Sequence, residues 1–197
     1  MSLWGATDSD ESKPKNLTTA EKLEVSASSK GWVREAGSRL SGNGNTSATP
    51  EVLVAIGGLA VKLGAADITE IEWITTAADK SAGFTLSARL RFNEAVDVVT
   101  TGGTPTLAVT NGNQGSGTGR GPHNLAYASG TGTNELVFSL AIAAANAATN
   151  ADDVLVIGAN AMNLNSGTIK DAGTSTNATI TSAASIGTAA GSITVVA

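Results

Sequence analysis

Residues 84–93, with the sequence FTLSARLRFN, decide the fold class of this chain. Apolar side chains occupy every second position, and Thr, Ser, Arg and Asn fill the positions between them. Because successive side chains of a β-strand point to opposite faces, this alternation predicts a strand with one buried and one exposed face.

Short strands separated by turn residues continue to the end of the sequence. The further strands predicted in this part are residues 106–110, 124–128, 135–142, 154–157, 178–181 and 192–196. Gly, Pro and Asn are concentrated in the connections, for example in residues 101–105 and 130–134. This spacing is typical of a sandwich of antiparallel sheets, so we predict an all-β fold.

Two more strands are predicted upstream. Residues 51–56, EVLVAI, are mostly apolar on both faces, which is typical of a strand buried on two sides. In residues 68–75, Glu70 and Glu72 alternate with apolar residues on the opposite face, which indicates a strand with one mixed face.

The first 50 residues have few bulky apolar side chains and several helix and strand breakers, including Pro14 and Pro50. We interpret them as an extended arm. Within the arm, Thr18 and Glu21 have the spacing of a capping box, in which each side chain bonds the other residue's backbone N–H. The pair predicts one short helical turn.

Charge is distributed unevenly along the sequence. Residues 1–39 carry 12 of the 29 charged residues, six of each sign, whereas residues 98–197 carry six in all. The C-terminal half must therefore present mainly small polar side chains and backbone to water. Since the net charge is −5 and Lys and Arg form no runs, we expect no nucleic-acid partner.

Neither membrane insertion nor export is predicted. The longest apolar run, between Glu51 and Lys62, has ten uncharged residues, against roughly 20 for a membrane-spanning helix. The first residues lack the basic and apolar regions of a secretory signal. Cysteine is absent from the sequence, which excludes disulfides, thiol enzymes and cysteine-bound zinc.

Few residues could support catalysis. His123 is the single histidine, and its place in the segment GRGPH predicts a solvated or interface-facing side chain rather than a catalytic base. The glycine-rich residues 115–121 lack the third glycine of a dinucleotide fingerprint and also lack a Gly-Lys pair. We interpret them as a mobile hairpin loop, and we predict no enzymatic activity and no cofactor.

The acidic residues of the C-terminal half also argue for a non-catalytic protein. Asn150, Asp152 and Asp153 form its one oxygen-rich cluster, whereas calcium takes roughly six to eight oxygen ligands. We interpret these residues as solvated loop acids and predict no metal site. A glycan-active enzyme would need two carboxylates in one cleft, and the sequence leaves open where Glu135, the two aspartates and Asp171 lie relative to one another.

Three tryptophans, Trp4, Trp32 and Trp73, all lie in the N-terminal part. Tryptophan is enriched at interfaces because it removes a large area from water at a low entropic cost. We predict Trp73 to be a core residue. Trp4 has Leu3 as its one apolar neighbour, which favours an anchor that needs another chain.

Two blocks of sequence resemble known families. The first comprises SLWGATD at residues 2–8, SKPK at 12–15, SKGWV at 29–33 and PEVLVA at 50–55. It resembles the start of small virion structural proteins of tailed phages, especially those of marine cyanobacteria.

The second block comprises LRFNEAV at residues 90–96, GTPTL at 103–107, AYASGTGTNELVF at 126–138 and NLNSGTIKD at 163–171. It is similar to bacterial Ig-like domains of large surface and adhesion proteins. That resemblance implies an antiparallel β-sandwich used as a spacer or decoration.

Together the resemblances imply a capsid decoration protein on the outer surface of a virion. We expect residues 1–50 to be an extended docking arm, residues 51–80 to be linking β-strands and residues 81–197 to be the Ig-like sandwich. Leu3, Trp4 and Trp32 are the predicted capsid-docking residues. The expected partners are the major capsid protein and other copies of this chain, with a trimer as the expected assembly; no membrane partner is expected.

Two alternatives remain open at this point. The chain could be a tail, neck or fibre component, or a host-surface adhesin, in which the Ig-like domain rather than the arm makes the contact. A glycan-active enzyme is the third class.

Overall fold

A computed structural model describes residues 12–37, 45–113 and 122–197. Within these ranges the chain forms thirteen strands and three short helices. The strands are β1 (Val25–Ser28), β2 (Gly31–Arg34), β3 (Glu51–Ala55), β4 (Ile68–Trp73), β5 (Ala78–Asp79), β6 (Phe84–Val99), β7 (Thr106–Asn113), β8 (His123–Ser129), β9 (Thr133–Ile142), β10 (Asp153–Val156), β11 (Met162–Asn163), β12 (Thr168–Asp171) and β13 (Ser192–Val196). The helices are α1 (Thr19–Leu23), α2 (Leu59–Leu63) and α3 (Ala184–Thr188). The all-β prediction is therefore confirmed.

The strands belong to one large mixed sheet, with the order β3-β2-β1-β6-β9-β8-β7-β10-β13-β5. Strands β4 and β12 pair with β6, and β11 pairs with β7, outside this path. The strands do not pair in antiparallel fashion throughout, because β1 runs parallel to β6 and β13 runs parallel to β5.

The long strand β6 organises the sheet, and the predicted buried face of residues 84–93 is confirmed, although Arg91 on the opposite face is buried as well. Its Leu86, Ala88 and Leu90 are fully buried. The first part of β6 pairs with β4 on one side and β9 on the other, and the part beyond residue 95 pairs with β12. Alternate apolar residues of β6 to β10 and β13 share one core with these three, including Leu107, Val109, Leu125, Leu136, Phe138, Leu155, Ile193 and Val195.

The described part of the predicted arm is folded rather than extended. The capping box is confirmed: the Glu21 backbone N–H bonds the Thr18 side chain, and the Glu21 carboxylate accepts from the Thr18 backbone N–H. After α1, β1 and β2 form an antiparallel hairpin. The hairpin packs with residues that follow it around a second, smaller cluster, whose buried members are Val25, Ala27, Trp32, Ile56 and Leu59.

We call residues 12–37 and 45–63 the N-terminal unit, and residues 66–113 and 122–197 the β-domain. Strand β3 and helix α2 belong to the N-terminal unit, since β3 pairs with β2 and Leu59 of α2 is in the smaller cluster. The sequence reading missed this because residues 12–37 have too few apolar side chains to form a core without Ile56 and Leu59.

The prediction for residues 51–56 was wrong in one respect. Strand β3 lies at the edge of the sheet rather than in its interior, and Val52 is 43% exposed. A run of apolar residues on both faces cannot distinguish an interior strand from an edge strand that contacts a small cluster on one side. Residues 178–181 also depart from the prediction, because Asn177 and Thr179 form isolated bridges rather than a strand.

Candidate functional site

A ladder of opposite charges crosses three neighbouring strands where the β-domain meets the N-terminal unit. Arg91 on β6 lies opposite Glu70 on β4 and opposite Glu135 on β9. Its Nη1 is 2.6 Å from Glu70 Oε2, and its Nε is 2.6 Å from Glu135 Oε1. Arg89, two residues earlier, donates to Glu72 Oε1 at 3.0 Å. We call these five residues the charged ladder.

Arg91 is buried although its neighbours in the sequence, Leu90 and Phe92, fill the core of the β-domain. It is 4% exposed. A cavity of about 290 Å³ lies beside it, and residues of the N-terminal unit, including Glu24 and Glu35, line this cavity together with Arg89 and Arg91. The N-terminal unit therefore covers the face of the sheet that carries the charged ladder.

The charge of Arg91 is compensated within the charged ladder. Burial lowers the pKa of Arg91, but the carboxylates of Glu135, Glu70 and Glu72 outweigh this effect and hold that pKa above its ordinary value. The guanidinium therefore stays charged and is engaged by carboxylates on both neighbouring strands. The ion pairs therefore join β6 to β4 and to β9 within the β-domain.

Lys13 extends this electrostatic contact from the N-terminal unit. Its Nζ donates to the Lys22 carbonyl oxygen at 2.6 Å and lies 5.9 Å from the centroid of the Trp32 ring. The pKa of Lys13 is lowered to about 8. Burial is the main cause, the charge of Glu70 partly opposes it, and the charge of Arg91 adds to it. The Lys13 ammonium group thus packs over the Trp32 ring and also interacts electrostatically with Glu70 and Arg91 of the charged ladder.

The predicted docking residues are not brought together by the described structure. Trp32 is 3% exposed, and its ring packs among the smaller cluster of its own chain. It therefore holds the N-terminal unit together and has little surface left for a partner. Leu3 and Trp4 lie outside the described residues. Trp73 packs against the main core and donates from Nε1 to the Gly191 carbonyl oxygen at 3.2 Å.

A pair of buried acids, Glu94 and Asp171, occupies another part of the seam. Each is 1% exposed. Burial is the largest cause that raises the pKa of Glu94, followed by the charge of Asp171 and a hydrogen bond with its carboxyl, and the pKa reaches about 8. Sequence reasoning missed this pair because Glu94 lies on β6 and Asp171 at the end of β12, more than 70 residues later in the chain.

His123 is buried rather than solvated, which corrects the prediction for this residue. Its Nε2 is 2.9 Å from the Thr149 hydroxyl, and desolvation lowers its pKa against an opposing effect of Asp153. Its position at the start of β8, opposite Val109 of β7, turns the ring inward. The predicted hairpin loop at residues 115–121 lies outside the described residues.

Of the predicted solvated loop residues, Asn150 and Asp152 are exposed as predicted, whereas Asp153 is not. Asp153 is fully buried and accepts from the Asn150 backbone N–H and from Asn111 Nδ2. Glu135 belongs to the charged ladder, whereas Asp171 contacts Glu94, so these acids serve separate networks. In the part of the chain that the structure describes, no three His, Asp or Glu side chains group in a way that could hold a metal ion.

Comparison with known proteins gives no family for this chain. No family model, no curated protein and no solved structure matches it. Within residues 12–37, 45–113 and 122–197, no helix has both the length and the apolar character needed to cross a membrane.

Proposed function

We propose that this chain is a non-enzymatic virion structural protein, a capsid decoration protein that binds the major capsid protein and stabilises the head. The observation that carries the proposal is the uneven division of charge along the chain, between residues 1–39 and residues 98–197. The N-terminal part is rich in charges of both signs, whereas the last hundred residues carry six charges. The resemblance of residues 2–55 to small phage virion proteins gives this division a functional meaning.

The finer architecture that we propose for the β-domain is an Ig-like sandwich. Strands β6 and β7 support it, because each changes partners along its length. Strand β7 pairs with β8 over residues 106–109 and with β10 over residues 110–113. Such changes of partner let one strand contribute to two packed layers around a common core.

In this proposal the chain docks through residues 1–11, which precede the described part of the N-terminal unit. Leu3 and Trp4 supply the apolar anchor, whereas Trp32 makes no direct contact with the capsid because it is buried in the smaller cluster. Ordering a docking segment costs about 1 to 2 kcal/mol per residue, and the capsid surface would have to offset that cost. The β-domain, whose residues 98–197 carry few charges, would then face outward, on the outer surface of the capsid.

Binding to stripped shells tests the proposal. Shells of the encoding phage, freed of this protein, are mixed with the full chain, with a variant that lacks residues 1–11, and with Trp4→Ala. We expect both variants to lose binding while their circular dichroism spectra keep the β signal. Val196→Ala is the matched control, because Val196 is an exposed apolar residue of the β-domain.

Full occupancy of the shell by the truncated chain would contradict docking through residues 1–11. Labelling of intact particles separates the proposal from its main rival. Uniform label over the head supports a decoration protein. Label confined to the tail supports a tail, neck or fibre component or an adhesin that uses the Ig-like domain.

A further inference from the structure

The carboxyl groups of Glu94 and Asp171 are buried together at the seam between the two units. Among the described residues, no N–H or hydroxyl group bonds either carboxylate oxygen of Glu94, and Asp171 Oδ2 is likewise without such a partner. Asp171 Oδ1 differs, because it accepts from the backbone N–H groups of Gly173 and Thr174 at 2.6 and 2.7 Å. Both carboxyl oxygens of Glu94 and Oδ2 of Asp171 are therefore buried without a hydrogen-bond donor from another described residue.

Two ionised carboxylates in contact and out of water would repel each other strongly. A single proton removes the conflict, because the protonated Glu94 carboxyl donates an O–H to Asp171 Oδ2. Asp171 Oδ1 already accepts from two backbone N–H groups, which leaves Oδ2 as its oxygen without a partner. The pair then carries one negative charge, and one Glu94 oxygen and Asp171 Oδ2 are joined by a hydrogen bond.

The pair sits where the N-terminal unit joins the β-domain. Glu94 of β6 lies opposite Ala27 of β1 at the one register position that joins these two strands. Asp171 begins a turn in which Gly173 approaches Ala60 of α2, with 3.5 Å between Ala60 Cβ and the position a Gly173 Cβ would take. Both acids are therefore next to elements of the N-terminal unit.

The residues packed around Glu94 and Asp171 from β1, from α2 and from the segment ahead of β4 supply no positive charge, so a shared proton is what reduces the negative charge of the pair. The other charge that acts on Glu94 is Asp67, ahead of β4, which is also acidic. Strand β1 presents Ala27, and α2 presents Ala60. A cavity of about 470 Å³ reaches the seam between Ser28, Ala60, Ala95 and Gly173, so water has a route to the seam if the contact opens.

We propose that Glu94 and Asp171 form a proton-sharing latch that holds the N-terminal unit on the β-domain and that opens when the proton is lost in alkaline solution. This inference does not depend on the proposed function. Loss of the proton leaves two adjacent carboxylates, and their repulsion is relieved when β1 and α2 move away and water solvates both groups. The elements that would separate from the β-domain, β1 and α2, both belong to the N-terminal unit.

Two nuclear magnetic resonance measurements on the full chain test the latch. In the first, the side-chain carboxyl carbon of Glu94 is followed from pH 4 to pH 10, and we expect a midpoint near 8. In the second, hydrogen-exchange protection factors are measured for amides of β1 and β2, with amides of β9 as the internal reference. Because protection factors are corrected for intrinsic exchange, the base catalysis of exchange cancels.

Protection of β1 and β2 should fall roughly a hundredfold relative to β9 between pH 6 and pH 9, at about tenfold per pH unit up to the midpoint near 8 and little beyond it, because Glu94 loses its proton at a lower pH in the open state than in the closed one. Glu94→Gln should abolish that fall, because the amide donates to Asp171 at every pH. Asp171→Asn should also abolish the fall in protection, because one ionisable group then remains in the pair. This second variant tests the latch if Glu94→Gln does not fold. Asp97→Asn, an exposed residue of the same strand, is the control that should behave as the wild type.

Several outcomes would overturn the latch. One is a Glu94 midpoint near 4.5, and another is a fall in protection that persists in Glu94→Gln. A Glu94 signal that moves when EDTA or calcium is added would replace the shared proton with a bound cation. Protection of β1 and β2 that stays constant up to pH 10 would show that the pair does not control the seam.

Discussion

Replacing Arg91 by methionine should destabilise the protein far more than the same change at Arg89. Arg91 is 4% exposed and bonds two carboxylates at 2.6 Å, whereas the Arg89 side chain keeps 29% of its exposure and makes longer contacts. Removing one partner of a buried ion pair typically costs 3 to 5 kcal/mol, because the remaining charges stay buried without compensation. Glu135 is partly exposed and can be solvated, so we expect about 3 kcal/mol for Arg91→Met.

The matched change, Arg89→Met, should cost at most about 1 kcal/mol because water screens a partly exposed pair. Urea unfolding followed by circular dichroism measures both values, and a loss of 3 kcal/mol corresponds to a melting point lowered by roughly 6 to 12 °C. Combining Arg91→Met with Glu70→Gln should recover part of the loss, since one uncompensated carboxylate is removed. Equal losses for the two arginine variants would refute the view that the N-terminal unit buries the charged ladder.

Three further changes probe other parts of the molecule. Trp32→Ala should cost about 3 to 5 kcal/mol in urea unfolding, because it empties the smaller cluster; a loss below 1 kcal/mol would mean that the ring is not packed there. Thr18→Ala removes the capping box and should cost about 1 kcal/mol, seen as faster hydrogen exchange in α1, with Thr19→Ala as the control that should leave that exchange unchanged. The lowered pKa of His123 means that the unfolded chain takes up a proton first as pH falls. Stability should therefore decline as pH drops through about 6.5, and His123→Gln should flatten that decline in urea midpoints measured from pH 7.5 to 5.

The β-domain could be predicted from the sequence because its signals are local. Period-two alternation in residues 84–93 reports one buried face directly, and the turn residues mark most strand ends. Strand β12 was missed because its partner, the C-terminal part of β6, lies about 70 residues earlier in the chain. The edge position of β3 could not be predicted either, since a strand's neighbours are a property of the whole sheet.

The candidate site was much less accessible from the sequence. Glu70, Glu72, Arg89 and Arg91 were each placed on a strand, but the register that pairs them appears only when β4 and β6 are aligned. The burial of these charges depends on the N-terminal unit, which covers this face of the sheet. The sequences of β4 and β6 taken alone therefore predict charged side chains exposed to water. Trp32 was assigned to docking for a related reason: Ile56 and Leu59, which bury it, come after a long connection.

Imaging the particle by cryo-electron microscopy, with and without this protein, tests the central claim most directly. A difference map should show added density at regular positions over the outer surface of the head. The N-terminal unit should lie nearest the shell, and the β-domain should point away from it. Difference density on the tail alone, or a head-bound molecule that contacts the shell through its β-domain, would contradict the account.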